Sequence, residues 1–181
     1  TFLQDGAAAT LRARGIVVCH ADPRTLADVL ESFETIATSL GVPGRGKELR
    51  CRTEIAIANP LPRSLSSAPR LYAEEWHQPP MASGNWVPDL IAAAGGQSLL
   101  PPGERSREVS LGEVQRFDPD VIVLNYCGME RVPVAAQVTH FVSQEGWGAL
   151  RAVRTKRVAV IADSLLNRPG PRLADGARAL H

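Results

Sequence analysis

The chain has 181 residues, of which 44% are hydrophobic and 22% charged, which is enough for one globular domain with a real core. Its 20 basic and 19 acidic residues leave a net charge of +1, so the overall electrostatic field does not favour the binding of nucleic acid. Cys19, Cys51 and Cys127 contain no CxxC pair and are too few for a disulfide framework, so we expect separate thiols. No apolar run approaches the roughly 20 residues of a membrane-spanning helix.

The beginning of the chain predicts a helix, a short strand and then a long helix. The first helix ends at Gly15, and the β-branched run at 16–19 predicts a strand. Asp22 and Pro23 are typical of a helix N-terminus, and apolar side chains recur at helical spacing from there to Gly41. A helix followed by a strand is typical of α/β proteins.

A further helix is predicted at 46–57, and a proline- and serine-rich stretch then predicts an exposed linker. These boundaries divide the chain into four parts. They are residues 1–21, a leading helix and strand or the remnant of a first lobe; 22–60, the long helix and the helix after it; 61–69, the linker; and 70–181, a C-terminal α/β lobe.

Strands and helices alternate after the linker. Strands are predicted at 70–74, at the fully apolar run 121–124, and at 157–161. Helices are predicted at 87–94, 111–116, 134–144 and 173–180. This alternation predicts an α/β fold, a three-layer Rossmann-like lobe with a largely parallel sheet, preceded by a long helix.

Ligands of such sheets bind beyond the carboxyl ends of the strands, where the connecting loops converge. Three loops qualify here, at 76–86, 125–129 and 163–170. The first carries Trp76 and Trp86. An indole face contributes the most free energy when a partner covers it and removes it from water. We therefore expect a large, flat ligand at this edge of the sheet.

A series of short motifs runs through this lobe: Glu75-Trp76, Pro79-Pro80, Gly84-Asn85-Trp86-Val87-Pro88-Asp89-Leu90, Ala94-Gly95-Gly96, Asp118-Pro119-Asp120-Val121-Ile122-Val123 and Cys127-Gly128. Together they resemble the substrate-binding proteins of class III ABC importers, the cobalamin and siderophore type, and within that class the cobalamin-binding branch. The resemblance covers residues 70–181. It extends less specifically to the helix from Pro23 to Leu40, which is similar to the interlobe helix of that class, and it is weak before Asp22.

The resemblance implies a binding protein without catalysis, in which two lobes hold a corrinoid or metal chelate and deliver it to an ABC permease in the membrane. It implies a periplasmic or extracytoplasmic location, although nothing in the sequence itself rules out the cytoplasm. It implies no cofactor, no catalytic residue and no metal held by the protein itself, since the chelate is the transported ligand. The ligand contacts that we predict are Trp76, His77, Trp86, Tyr126, Cys127 and Gly128.

The length of the chain suits one lobe and the interlobe helix of such a protein, so we expect the C-terminal lobe. A homodimer with two-fold symmetry could supply a second wall to the site.

Alternatives stay open for several of these residues. Trp86 could pack the first turn of its helix against the sheet. Trp147, between two glycines, could be a third aromatic wall of the site or a packing residue. His77 could be an axial ligand to cobalt or iron, or a solvated loop histidine. Cys127, directly after a buried strand, could be an inert small hydrophobe.

Two other functions remain open, a small α/β enzyme or regulatory domain, and a protein-interaction module that uses the tryptophan loop. No GxSxG elbow, glycine-rich phosphate loop or HExxH motif is present. Glu74 and Glu75 are neighbours on a predicted strand and point to opposite faces, which excludes a catalytic pair. A polar triad near Cys127 would favour the enzyme.

Overall fold

The computed structural model describes residues 2–58 and 67–181, so the predicted linker at 61–69 lies mostly outside the described residues. The described residues form nine α-helices and six strands. The helices are α1 (Phe2–Ala13), α2 (Leu26–Ser39), α3 (Pro43–Ala58), α4 (Val87–Ala93), α5 (Leu111–Phe117), α6 (Val134–Ser143), α7 (Arg151–Arg154), α8 (Asp163–Leu166) and α9 (Leu173–Leu180). The strands are β1 (Arg70–His77), β2 (Pro80–Ala82), β3 (Gln97–Ser98), β4 (Arg107–Glu108), β5 (Val121–Leu124) and β6 (Val158–Val160).

The strands form one mixed sheet in the order β4-β2-β1-β5-β6, and β3 pairs with the start of β1. Strands β1, β5 and β6 run parallel, as do β1 and β3. Strand β2 folds back antiparallel on the end of β1, and β4 adds antiparallel to β2. The prediction of a largely parallel sheet is confirmed, with an antiparallel edge that the sequence analysis missed.

Two apolar cores lie on opposite faces of this sheet. Leu71 and Ala73 of β1 and Val123 of β5 join the core beneath α2, α3, α4 and α9. Tyr72 and Ile122, the alternate residues of the same strands, join the core on the side of α5 and α6. Because successive side chains of a strand point to opposite faces, the same strands contribute side chains to both cores. The three-layer prediction is therefore confirmed.

Helix α2 begins three residues later than the sequence predicts. The hydroxyl of Thr25 accepts a hydrogen bond from the Asp28 backbone N–H at 3.2 Å, and the Asp28 carboxylate accepts one from the Thr25 N–H at 2.9 Å. This reciprocal capping box satisfies two backbone donors that would otherwise lack a partner. It places the helix start at Leu26 and leaves Asp22 to form an ion pair with Arg24 at 3.1 Å.

The predicted strand at 16–19 is wrong. This segment has no regular secondary structure, and Val17 is 92% exposed. A high β-propensity forms a strand only where a neighbouring strand completes the hydrogen-bond ladder, and within the described residues no strand pairs with these positions.

Candidate functional site

The three loops predicted to converge do meet at the carboxyl edge of the sheet. Asn125, directly after β5, donates a hydrogen bond to the Ser83 hydroxyl at 2.9 Å. Asn167, directly after α8, donates to the Asn125 carbonyl oxygen at 2.7 Å. Side-chain amides thus tie the loops after β2, β5 and α8 to one another. The prediction that these loops share one edge is confirmed.

Trp76 lies at this edge as the exposed aromatic side chain of the site. It belongs to β1, which continues to His77 before the chain turns back into β2, so the expected loop tip is in fact the end of a hairpin. The side chain is 42% exposed, and its Nε1–H donates to the Gln78 carbonyl oxygen at 3.0 Å. The indole is therefore oriented before any ligand arrives.

A row of rings extends from Trp76 into the protein. The Trp76 and His77 rings stack with centroids 5.9 Å apart, and His77 meets the ring of Tyr126 edge-on at 5.3 Å. His140 of α6 packs against His77 from another side, with centroids 4.6 Å apart. Desolvation and the neighbouring His140 lower the pKa of His77, so its imidazole is neutral at pH 7.

His77 is half-buried, so the structure does not support the alternative of a fully solvated histidine. Its buried Nδ1 has no hydrogen-bond partner. Among the residues that the structure describes, no group of three or more histidine, cysteine or acidic side chains is arranged to hold a metal ion.

Trp86 lies in the core and not on the surface. It is 8% exposed, and its Nε1–H donates to the Leu166 carbonyl oxygen at 2.8 Å. This burial removes the indole face that a ligand would cover, so the structure favours packing for Trp86. Trp147, 5% exposed and edge-on to Phe141 at 5.2 Å, also packs in the core.

Tyr126 was expected to touch the ligand, but it is only 2% exposed. Its hydroxyl donates to Glu74 Oε1 at 2.6 Å, directed away from solvent. Its ring instead supports His77 from below. The hydrogen bond to a buried acid holds Tyr126 inward and leaves little of it for a ligand to touch, and its ligand contact stays a prediction.

Cys127 and Gly128 are exposed, as a wall of the site requires. The Cys127 thiol accepts a hydrogen bond from the Asn167 side chain at 3.2 Å, and desolvation raises its pKa. A protonated thiol is a weak nucleophile and a poor metal ligand. The polar side chains near the thiol are amides and a hydroxyl, since Asn167 also accepts a hydrogen bond from Asn125, which donates to Ser83.

Gly128 adopts a left-handed φ of 75°, which glycine tolerates without strain. In this conformation its backbone N–H donates to the Asp163 carboxylate at 3.2 Å. Asp163 also pairs with Arg168 at 3.3 Å, and the backbone N–H of Ser164 donates to Glu130 at 3.1 Å. These bonds join the loop after β5 to the loop after β6. From the sequence, Asp163 and Arg168 were predicted only as members of the converging loop at 163–170.

A buried acid supports the site from beneath. Glu74 is fully buried and accepts hydrogen bonds from the hydroxyls of Tyr72 and Tyr126, each at 2.6 Å. Desolvation raises the pKa of Glu74 to about 7, and the two tyrosine hydrogen bonds oppose that rise. In the sequence-based predictions Glu74 appears only where a catalytic pair with Glu75 is excluded. The signal that could have found this pair is Tyr72, which lies two residues before Glu74 and therefore points to the same face of the strand.

The layered sheet and the loop-lined edge define an α/β ligand-binding fold. A model of the periplasmic binding protein family matches residues 1–165. The chain therefore belongs to the periplasmic binding protein family, and the match includes residues 1–21, where the motif resemblance was weak. No helix among the described residues combines the length and apolarity needed to cross a bilayer.

Solved structures share this fold. The periplasmic heme-binding protein RhuT from Roseiflexus sp. RS-1 superposes with a TM-score of 0.78 at 24% identity, covering 97% of this chain and 69% of that one. The periplasmic vitamin B12-binding protein BtuF of Vibrio cholerae gives 0.66 at 18% identity, covering 97% and 67%. An ABC-type Fe3+-hydroxamate transport protein from Saccharomonospora viridis DSM 43017 gives 0.73 at 24%, covering 88% and 56%.

At identities below 25%, these superpositions establish a shared fold alone. The chain spans between 56% and 69% of the length of these three proteins. Among curated proteins, none matches this sequence.

Proposed function

We propose that the chain is the substrate-binding component of an ABC importer, or its C-terminal lobe, and that it binds a flat metal chelate outside the cytoplasm. Membership of the periplasmic binding protein family supports this role. The similar structures are named for heme, vitamin B12 and ferric hydroxamate, which share a metal centre inside an organic ligand. The protein recognises this ligand and hands it to a membrane permease without changing it.

The observation that carries the proposal is the exposed and oriented indole of Trp76. A tryptophan buries up to about 250 Å² when fully covered, and 42% of this side chain is exposed. Covering that remainder removes roughly 100 Å² from water, which at about 25 cal/mol per Å² contributes about 2.5 kcal/mol to binding. A flat macrocycle or chelate provides a face that can cover it.

The other contacts come from the neighbouring loop. Cys127 and Gly128 form the second wall of the proposed site, while Tyr126 and His77 support the indole from behind. Trp86 and Tyr126 contribute to the shape of the site through packing. Within this assignment residues 22–60 contain the helix that joins the two lobes of such proteins, and residues 70–181 form the ligand-binding lobe.

The test is a fluorescence titration of the purified chain with cyanocobalamin, hemin and a ferric hydroxamate, corrected for absorption by the ligand. We expect saturable quenching by at least one of them, because Trp76 is the tryptophan that a ligand can reach. Trp76→Ala is expected to weaken that binding by roughly 65-fold, which corresponds to the area estimate above. Calorimetry measures the affinity of this variant, which lacks the indole expected to report binding.

The matched control is Ile55→Ala, which removes an apolar side chain that is 60% exposed on α3. It is expected to leave the affinity unchanged. Equal affinities for wild type and Trp76→Ala would overturn the assignment of this edge as the binding site.

A further inference from the structure

Helix α6 brings a second histidine, His140, against His77 at the candidate site. The two imidazole rings meet edge-on, with centroids 4.6 Å apart and planes at 90°. Gln137 fixes this helix, because its buried side chain donates two hydrogen bonds to carbonyl oxygens of the loop after β5. His140 lies three residues after Gln137, on the same side of the helix. The fold therefore holds the His140 ring against His77.

Two features of this arrangement oppose a positive charge on His77. A neutral imidazole carries one N–H, whereas an imidazolium carries an N–H on both nitrogens. The buried Nδ1 of His77 has no hydrogen-bond partner among the described residues, so a charged N–H at this atom would lack an acceptor. Desolvation and the neighbouring His140 both lower the pKa of His77. The packed arrangement of rings therefore suits a neutral His77 and not a charged one.

The other groups that face His77 supply no compensating negative charge at acidic pH. Tyr126 meets its ring edge-on at 5.3 Å, and the Tyr126 hydroxyl donates to Glu74. The pKa of Glu74 is about 7, so this carboxyl group is protonated at pH 5. Within the parts of the chain that the structure describes, neither His77 nor His140 forms an ion pair with an acidic side chain. Positive charges on the two rings would therefore repel each other without an offset.

We propose that His140 is a positioning residue of the binding site, that its neutral ring holds His77 behind the Trp76 indole, and that protonation of the two imidazoles releases this support and weakens ligand binding. The inference rests on the proposed function and adds a pH dependence to it. Two contacts orient the indole, its stack on His77 at 5.9 Å and its hydrogen bond to the Gln78 carbonyl oxygen. A charged His77 ring turns towards water, and the indole then loses the first of these contacts.

The release of the ring can be tested in the chain without any ligand. Nuclear magnetic resonance follows the imidazole nitrogens of His77 and His140 between pH 7.5 and pH 5.0. The same spectra record the nuclear Overhauser contacts between the His77 and Trp76 rings. We expect these ring contacts to disappear as the two histidines take up their protons. Ring contacts that persist when both histidines are charged would overturn the proposal.

Two substitutions of the exposed His140 separate positioning from charge. His140→Phe keeps a flat ring against His77 but cannot be charged, so we expect His77 to take up its proton at a higher pH and to stay stacked on Trp76. His140→Ala removes the ring, so we expect the stack to loosen already at pH 7.5. The control is His20→Phe, which removes a histidine that pairs with Asp5 at 3.4 Å and is expected to behave as wild type. Equal pH profiles of the ring contacts in wild type and both His140 variants would refute the role of His140.

Calorimetry at pH 7.5 and pH 5.0 then measures the affinity for whichever of cyanocobalamin, hemin and the ferric hydroxamate binds. We expect the wild-type affinity to fall at least ten-fold at pH 5.0, because binding that releases one proton changes the affinity by up to about ten-fold per pH unit. His140→Phe is expected to lose at most three-fold, and its comparison with wild type in the same buffers cancels any change in the ligand itself.

A further variant separates the histidine pair from the buried acid that titrates nearby. Glu74→Gln cannot be charged and is expected to keep the loss of affinity in acid. If this loss disappears in Glu74→Gln but persists in His140→Phe, the pH dependence belongs to Glu74 and the inference fails. If a ligand binds through Trp76 with an affinity that does not change with pH, the inference fails and the proposed function stands. If none of the three ligands binds, the proposed function fails, and the claim about affinity fails with it.

Discussion

The buried carboxyl group of Glu74 makes the stability of the fold depend on pH. Desolvation raises its pKa from 4.5 to about 7 in the folded protein, whereas in the unfolded chain water restores the lower value. The folded state therefore holds this proton more tightly than the unfolded state does. The contribution of Glu74 to stability is most favourable below pH 4.5, falls as the pH rises from 4.5 to about 7, and is at its lower level above that range.

The size of this effect follows from the pKa shift. A shift of about 2.5 units, at 1.36 kcal/mol per unit, corresponds to about 3 kcal/mol of stability lost at pH 8. Glu74→Gln removes the charge while keeping the size of the side chain. Its amide can accept a hydrogen bond from one tyrosine and donate one to the other, Tyr72 or Tyr126. We expect this variant to be more stable than wild type by about 3 kcal/mol at pH 8 and by less than about 1 kcal/mol at pH 5.

The assay is urea denaturation of both proteins between pH 5 and pH 8, followed by far-ultraviolet circular dichroism. Glu31→Gln, an exposed glutamate on α2, is the control and is expected to follow wild type throughout. If the free energies of unfolding of Glu74→Gln and wild type run parallel across this range, the carboxyl does not titrate as the buried geometry requires. The reasoning from burial to pKa would then be refuted.

Two further predictions concern the helices that precede the lobe. Thr25→Ala removes the capping box of α2 and is expected to lower the free energy of unfolding by about 1 kcal/mol. Thr25→Ser keeps the capping hydroxyl and is expected to retain most of the wild-type stability. Urea denaturation measures the free energy of unfolding of both variants. Gly46→Val is expected to cost more, about 1–3 kcal/mol, because a Cβ at Gly46 would lie 2.6 Å from the Ala37 Cβ and 2.7 Å from the Phe33 carbonyl oxygen. Its matched control is Gly44→Val, at a position where a Cβ meets nothing within 4 Å. Equal losses at the two glycines would contradict the close packing of α3 on α2.

The elements with strong local signals could be predicted from the sequence. The strand at Val121–Leu124 and the helix at Leu173–Leu180 have the predicted bounds, because a four-residue, β-branched apolar run favours a strand and an apolar repeat at helical spacing favours a helix. The two- and three-residue strands β2, β3 and β4 are too short to show any periodicity. They form because β1 and then β2 offer hydrogen-bonding edges, which is a tertiary effect.

The candidate site could be located from topology but not resolved residue by residue. The rule that ligands bind beyond the carboxyl ends of parallel strands placed the three loops together correctly. The different environments of Trp76 and Trp86 depend on the carbonyl oxygen of Leu166, 80 residues further along the chain, which accepts the Trp86 indole N–H. A sequence does not show such a distant partner, and both indoles were predicted to bind the ligand.

The most direct test of the proposed site is a crystal structure of the chain with the macrocycle or chelate that binds it most tightly. The account predicts that the ligand covers the exposed face of the Trp76 indole and contacts the Cys127-Gly128 loop. A well-ordered ligand bound elsewhere, with Trp76 still exposed to solvent, would contradict it.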